Sequence, residues 1–169
     1  MTDLEQSRRQ TKLILATEIL RTTGRVQFMA RGYSMLPSLW PGDVLTVESF
    51  SFADATAGQI VLYQRDGQFY AHRLLRCGTA DGRDFLTTRG DALPQNDGPV
   101  FPSEWLGVVT AVSRQGKELP RVPRCDAGAR MLGRLLGSSG RLRSLVLRWK
   151  QGGSASSAAP LGEILPGSF

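Results

Sequence analysis

Histidine and cysteine are nearly missing from this chain: among 169 residues there are one histidine and two cysteines. Cys77 and Cys125 stand far apart, too few for a disulfide framework and outside any C-x-x-C pair of the metal-ligand type. No metal or cofactor is therefore expected, and both thiols are expected to be reduced. Long hydrophobic runs are absent as well. The opening stretch, MTDLEQSRRQTKLILATEIL, sets acidic residues before basic ones, and its apolar run from Leu13 to Ala16 is broken by Thr17 and Glu18. That pattern lacks the hydrophobic region of a signal peptide and falls short of the roughly 20 apolar residues of a membrane span. The expected compartment is the cytoplasm, without a transmembrane anchor. There is no internal repeat.

What remains is an ordinary globular composition, 41% hydrophobic and 21% charged, enough for one core with added terminal segments. The net charge of +6 favours an anionic partner, so where the charge lies matters. Thr2 with Glu5 reads as a capping box. The segment Asp3 to Thr23 is rich in helix formers with Leu13, Ala16, Ile19 and Leu20 near helical spacing, and Gly24 follows as a stop. The pattern then changes to short runs of strand type at 26–31, 44–49, 59–64, 68–75, 84–88 and 106–112, each bounded by Gly, Pro or Asp. Asp66-Gly67, between two of these runs, predicts a hairpin, because that pair tolerates the positive φ of a tight turn. The expected fold is mainly β, a strongly bent or closed antiparallel domain over 25–120, preceded by a helix over 1–24. Residues 121–150 contain a basic amphipathic stretch, AGARMLGRLLGSSGRLRSLVLRWK at 127–150, expected to be helical in two pieces, and 151–169 read as a flexible Gly/Ala/Ser/Pro tail. Arginines interleaved with leucines suit peripheral contact with an anionic lipid surface. Nucleic acid is not expected, since the aromatic interleaving of a single-strand binder is almost absent.

Ser34, in ARGYSMLPSLWPGDVLTV, poses the chemical question. A serine hydroxyl is a weak nucleophile until a base takes its proton, and the chain's one histidine is His72. In QFYAHRLL, strand alternation sets Tyr70, His72 and Leu74 on one face and Phe69, Ala71, Arg73 and Leu75 on the other. A strand face can present an imidazole rigidly to a loop serine. Taken singly, each candidate also has a plain structural reading: Ser34 as a turn residue, His72 as a partly buried strand residue, and Asp43, Asp91 and Asp97 as turn residues.

Taken together, GYSMLPSLWPGD at 32–43, GQIVLY at 58–63, AHRLL at 71–75 and LTTRGDALPQND at 86–97 fall in the order and near the spacing of the boxes of type I signal peptidases. The chain resembles that superfamily, which also includes the LexA-like self-cleaving peptidases. A histidine followed by Arg, with T-x-G-D and a second Asp downstream, looks like the endoplasmic-reticulum and archaeal Ser-His-Asp type. The resemblance covers roughly residues 26 to 112. It implies a signal-peptidase/LexA-like bent antiparallel β-barrel and a serine endopeptidase in which Ser34 is the nucleophile, His72 the general base and Asp97 the carboxylate that orients the imidazole. Asp91 matches a supporting aspartate. The Ser34 N–H would form the oxyanion hole, Gly32 would let a substrate strand approach, and Met35 and Pro37 would shape the turn. The implied partner is a peptide or protein bound in extended form; the oligomeric state is not readable. Two other readings stand beside this one. The first is self-cleavage, as in the repressor-type relatives; the second is a noncatalytic β module that docks on anionic lipid or nucleic acid.

Overall fold

The computed structural model describes residues 3–124. The expected capping box at Thr2, Cys125, the basic segment 127–150 and the tail 151–169 lie outside the described residues. Helix α1, Asp3–Thr23, ends where the sequence has its stop: Gly24 takes φ 72° and donates its N–H to the Leu20 carbonyl at 2.9 Å. Ala16 and Leu20 are buried at the end of the helix next to the first strand. No helix among the described residues is long and apolar enough to cross a membrane.

Seven antiparallel strands follow: β1 Arg25–Met29, β2 Val44–Glu48, β3 Ile60–Arg65, β4 Gln68–Ala80, β5 Arg83–Arg89, β6 Trp105–Arg114 and β7 Lys117–Glu118. They pair in the order β1-β2-β6-β3-β4-β5, with β7 added to β6. The fold is thus mainly antiparallel β with one α-helix, and a single 3-10 turn at Phe52–Asp54, among the described residues. Asp66 and Gly67 both have positive φ, 51° and 67°, and close β3 onto β4 as a tight hairpin. Asp81-Gly82 and Gln115-Gly116 repeat the device, and there the sequence reading missed both turns.

Both faces of the sheet are covered. Ile60 and Leu62 of β3 join Val26, Met35, Leu45, Val47 and Val112 in one apolar cluster; Val61 and Tyr63 join Leu74, Leu86 and Val100 in another. The continuous apolar run IVLY is therefore a strand buried on both sides rather than an amphipathic one. Register shifts at Thr46/Val47, Leu62/Tyr63 and Leu74/Arg76 mark bulges, which bend strands and increase their twist.

The strand expected at 68–75 continues to Ala80. In that extension the missing side chain of Gly78 is what the hairpin uses: a Cβ there would lie 2.7 Å from the Phe85 ring, which crosses it from β5.

Candidate active site

The turn that carries Ser34 is fixed from several sides. Met35, Leu36 and Leu39 are buried, Leu39 N–H donates to the Met35 carbonyl at 2.9 Å, and the indole N–H of Trp40 donates to the Pro37 carbonyl at 2.8 Å. Met35 and Pro37 thus sit in the turn as expected, with Leu36-Pro37 in the cis form. Asp43, 2% exposed, accepts the Trp40 N–H at 2.8 Å and a two-pronged pair of bonds from Arg114 at 2.8 and 2.7 Å. It stands directly before β2, which fits its plain reading as a turn or strand-start residue. Its partner was invisible in the sequence because Arg114 comes from the far end of β6.

Tertiary folding brings Ser34, His72 and Asp97 into one chain of hydrogen bonds. Ser34 Oγ lies 2.9 Å from His72 Nε2, and His72 Nδ1 lies 2.7 Å from Asp97 Oδ2. An ionised carboxylate only accepts, so Nδ1 carries the proton donated to Asp97, which leaves Nε2 to accept the Ser34 O–H. His72 is buried on the face predicted by alternation, edge-on to Tyr63 and Tyr70 at 6.3 and 6.0 Å between ring centres.

Asp97 has partners that the sequence reading did not single out. Thr88 donates its hydroxyl to Asp97 Oδ2 at 2.7 Å, and the Asp97 N–H donates to the Thr88 carbonyl at 2.8 Å. Burial pulls the Asp97 carboxyl upward, yet the hydrogen bonds from His72 and Thr88 outweigh it and hold the group below its ordinary range. Burial pushes the nearby Tyr63 phenol up to about 12, so it stays a neutral donor. Thr88 lies inside the LTTRGD box and was therefore findable; Tyr63 was only one residue of the strand run 59–64.

The lowered carboxyl makes a prediction about acid. A depressed pKa contributes stability above the unfolded value, 3.8 for this group, and loses it as pH falls through the folded value beneath that. The melting temperature of the wild type should exceed that of Asp97→Asn at neutral pH, and the gap should close below about pH 4. A gap that stays constant down to strongly acidic pH would refute the assignment.

The Asp91 carboxylate is hydrogen-bonded to Arg73 and not to Ser34, His72 or Asp97. It takes a two-pronged pair of bonds from Arg73, Nε to Oδ1 at 2.8 Å and Nη2 to Oδ2 at 2.6 Å, and both residues are buried. Arg73 also donates to Ser38 Oγ at 3.2 Å and to the carbonyls of Gly58 and Pro123 at 2.8 and 3.1 Å. Beside this pair, the Ala92 N–H donates to the Ser34 carbonyl at 2.8 Å. Asp91 therefore supports the Ser34 backbone through its own loop.

Gly90 closes that contact. A Cβ there would lie 2.6 Å from the Ser34 carbonyl oxygen and 3.0 Å from Ser34 Cβ, both rigidly held. Gly90→Ala should therefore push the turn away and lower stability by about 1–3 kcal/mol, read by chemical denaturation. An unchanged midpoint would show that the 90–92 loop yields freely. Gly32 differs: a Cβ there would stand 3.9 Å from Ser34 Oγ, and the residue is exposed, so glycine leaves the front of the hydroxyl open.

Among the described residues no group of three or more His, Cys, Asp or Glu is placed to hold a metal. The chemistry available is that of a hydroxyl, an imidazole that can take its proton, and a carboxylate that fixes the imidazole's tautomer. No protein-family model matches the sequence, and no curated protein matches it.

Proposed function

We propose that this chain is a serine endopeptidase of the signal peptidase I superfamily, of the Ser-His-Asp type, with the bent LexA-like β-barrel as its fold. One observation carries the reading: the unbroken hydrogen-bond path from Ser34 Oγ through both nitrogens of His72 to Asp97 Oδ2, at 2.9 and 2.7 Å. Three residues from three separate segments rarely meet in that order for structural reasons alone. The four sequence boxes supply an independent support.

The reaction follows from the donors and acceptors. Ser34 Oγ attacks the scissile carbonyl carbon while Nε2 of His72 takes the hydroxyl proton, and Asp97 stabilises the imidazolium that forms. The oxygen that becomes negative is met by the Ser34 N–H, which finds no acceptor among the described residues. His72 then passes its proton to the leaving amine, and water repeats the sequence on the acyl-serine. A peptide substrate suits the surroundings. Among the described residues β1 ends the sheet with one edge unpaired and leads through Gly32 to the nucleophile, so an extended chain can add along it by main-chain hydrogen bonds.

The test is incubation of the purified chain with a defined library of short unstructured peptides, followed by mass spectrometry. Site-selective cleavage that Ser34→Ala abolishes supports the proposal. The absence of any cut, in the library or in the intact mass of the chain itself, overturns it.

A further inference from the structure

Asp97 can orient His72 only if the loop behind it keeps still, and the sequence just after it is poorly equipped for that. Asp97 is tied to Thr88 through its N–H, and Val100 is tied to Leu86 by reciprocal bonds of 2.9 and 2.8 Å. Between these anchors lie Gly98, with the freest backbone of any residue, and Pro99, which has no N–H to offer. Strand pairing does not reach them. Among the described residues one side chain does: Arg65, at the end of β3, donates from Nη2 to the Pro99 carbonyl at 2.7 Å and from Nη1 to the Gly98 carbonyl at 3.4 Å.

Arg65 is itself held. Its Nε and Nη2 form a two-pronged pair with Glu104 at 2.6 and 2.8 Å, with roughly a quarter of either side chain exposed, and its guanidinium lies 5.4 Å over the Tyr63 ring. Glu104 also accepts the Phe101 N–H at 3.0 Å, and its carbonyl accepts the Gln64 N–H at 2.8 Å. The planar guanidinium thus spans the strand, the loop and the glutamate at once, which an ammonium cannot do.

From this geometry we propose that Arg65, braced by Glu104, is the positioning residue for Asp97, holding the 98–99 carbonyls so that the carboxylate stays within hydrogen-bond reach of His72. The inference rests on the peptidase reading for its consequence in catalysis but not for its structural content. Displacement of a catalytic group by about 1 Å can cost on the order of a hundredfold in rate. Arg65→Met should therefore lower cleavage of the best library peptide by about ten- to a hundredfold, mainly in kcat. Glu104→Gln should lower it less, because the arginine keeps its bonds to the loop. An ion pair of purely structural value would show the two substitutions as equivalent.

His72 gives a readout independent of activity, since it is the only histidine in the chain and its ring nitrogens yield one unambiguous set of signals. Nitrogen NMR of the wild type should report the Nδ1–H tautomer. Arg65→Met should show a mixture of tautomers while circular dichroism shows a folded protein, and Arg65→Lys should not restore the single form. If Arg65→Met does not fold, Arg65→Lys gives the same comparison. A single Nδ1–H tautomer retained in the folded Arg65 variants would overturn the proposal even if the peptidase is real. Loss of the single tautomer in a protein without peptidase activity would sustain the clamp and sink the enzyme.

Discussion

Ser34→Ala and His72→Ala are each expected to abolish peptide cleavage down to nearly the same floor. The loss should be on the order of 10⁶ in turnover, as when a nucleophile or its base is removed elsewhere. The losses should not add, because a hydroxyl without its base and a base without its hydroxyl are equally idle. Asp97→Asn should leave slightly more activity but still cost about 10⁴-fold, since an amide in place of the carboxylate favours the wrong tautomer of His72. The deciding measurement is cleavage of one identified peptide by the purified variants, with folding checked by circular dichroism. Full activity in folded His72→Ala would sink the mechanism even if Ser34 proved essential. That result would point to a lysine such as Lys117, exposed in β7, or to no catalysis of this kind.

Asp91→Asn should act on stability instead. The carboxylate and the Arg73 guanidinium are 3% and 8% exposed, so removing one charge strands the other away from water. Breaking such a pair costs about 3–5 kcal/mol. For a domain of this size, each kcal/mol lowers the melting temperature by roughly 4 °C, so a fall of about 10–20 °C is expected. Specific activity of the folded fraction at low temperature should fall far less, because Asp91 is bonded to neither His72 nor Ser34 Oγ. Thermal melts paired with cleavage rates decide it. A variant that melts like the wild type but has lost its activity would move Asp91 into the reacting machinery.

Local signals account for how much could be read in advance. Helix α1 stops at Gly24 because glycine alone adopts φ 72° without penalty, and the first hairpin closes on Asp66-Gly67 for the same reason. The alternation of QFYAHRLL placed His72 on the face it occupies. No such signal showed that β4 runs past Leu75 to Ala80. Gly78 lies in that extension, and only the partner strand, with Phe85 lying across it, shows why the strand goes on. Likewise β7 is a two-residue strand that exists because β6 lies beside it.

By itself the sequence determined what periodicity and backbone preference can write within a few residues: the helix, the six main strands and the Asp66-Gly67 hairpin; Ser34, His72 and Asp97 stood out together only through the resemblance of four boxes to those of signal peptidases. Only the tertiary structure decided which atoms meet. The imidazole faces Ser34 through Nε2 and Asp97 through Nδ1, Thr88 shares the carboxylate, and Arg73, Arg114 and Arg65 seek partners 18, 71 and 39 residues away in the chain. The physical reason is the nature of these side chains. An arginine has no local pattern that names its acceptor, because a charge removed from water takes whichever carboxylate or carbonyl the packed strands bring within reach.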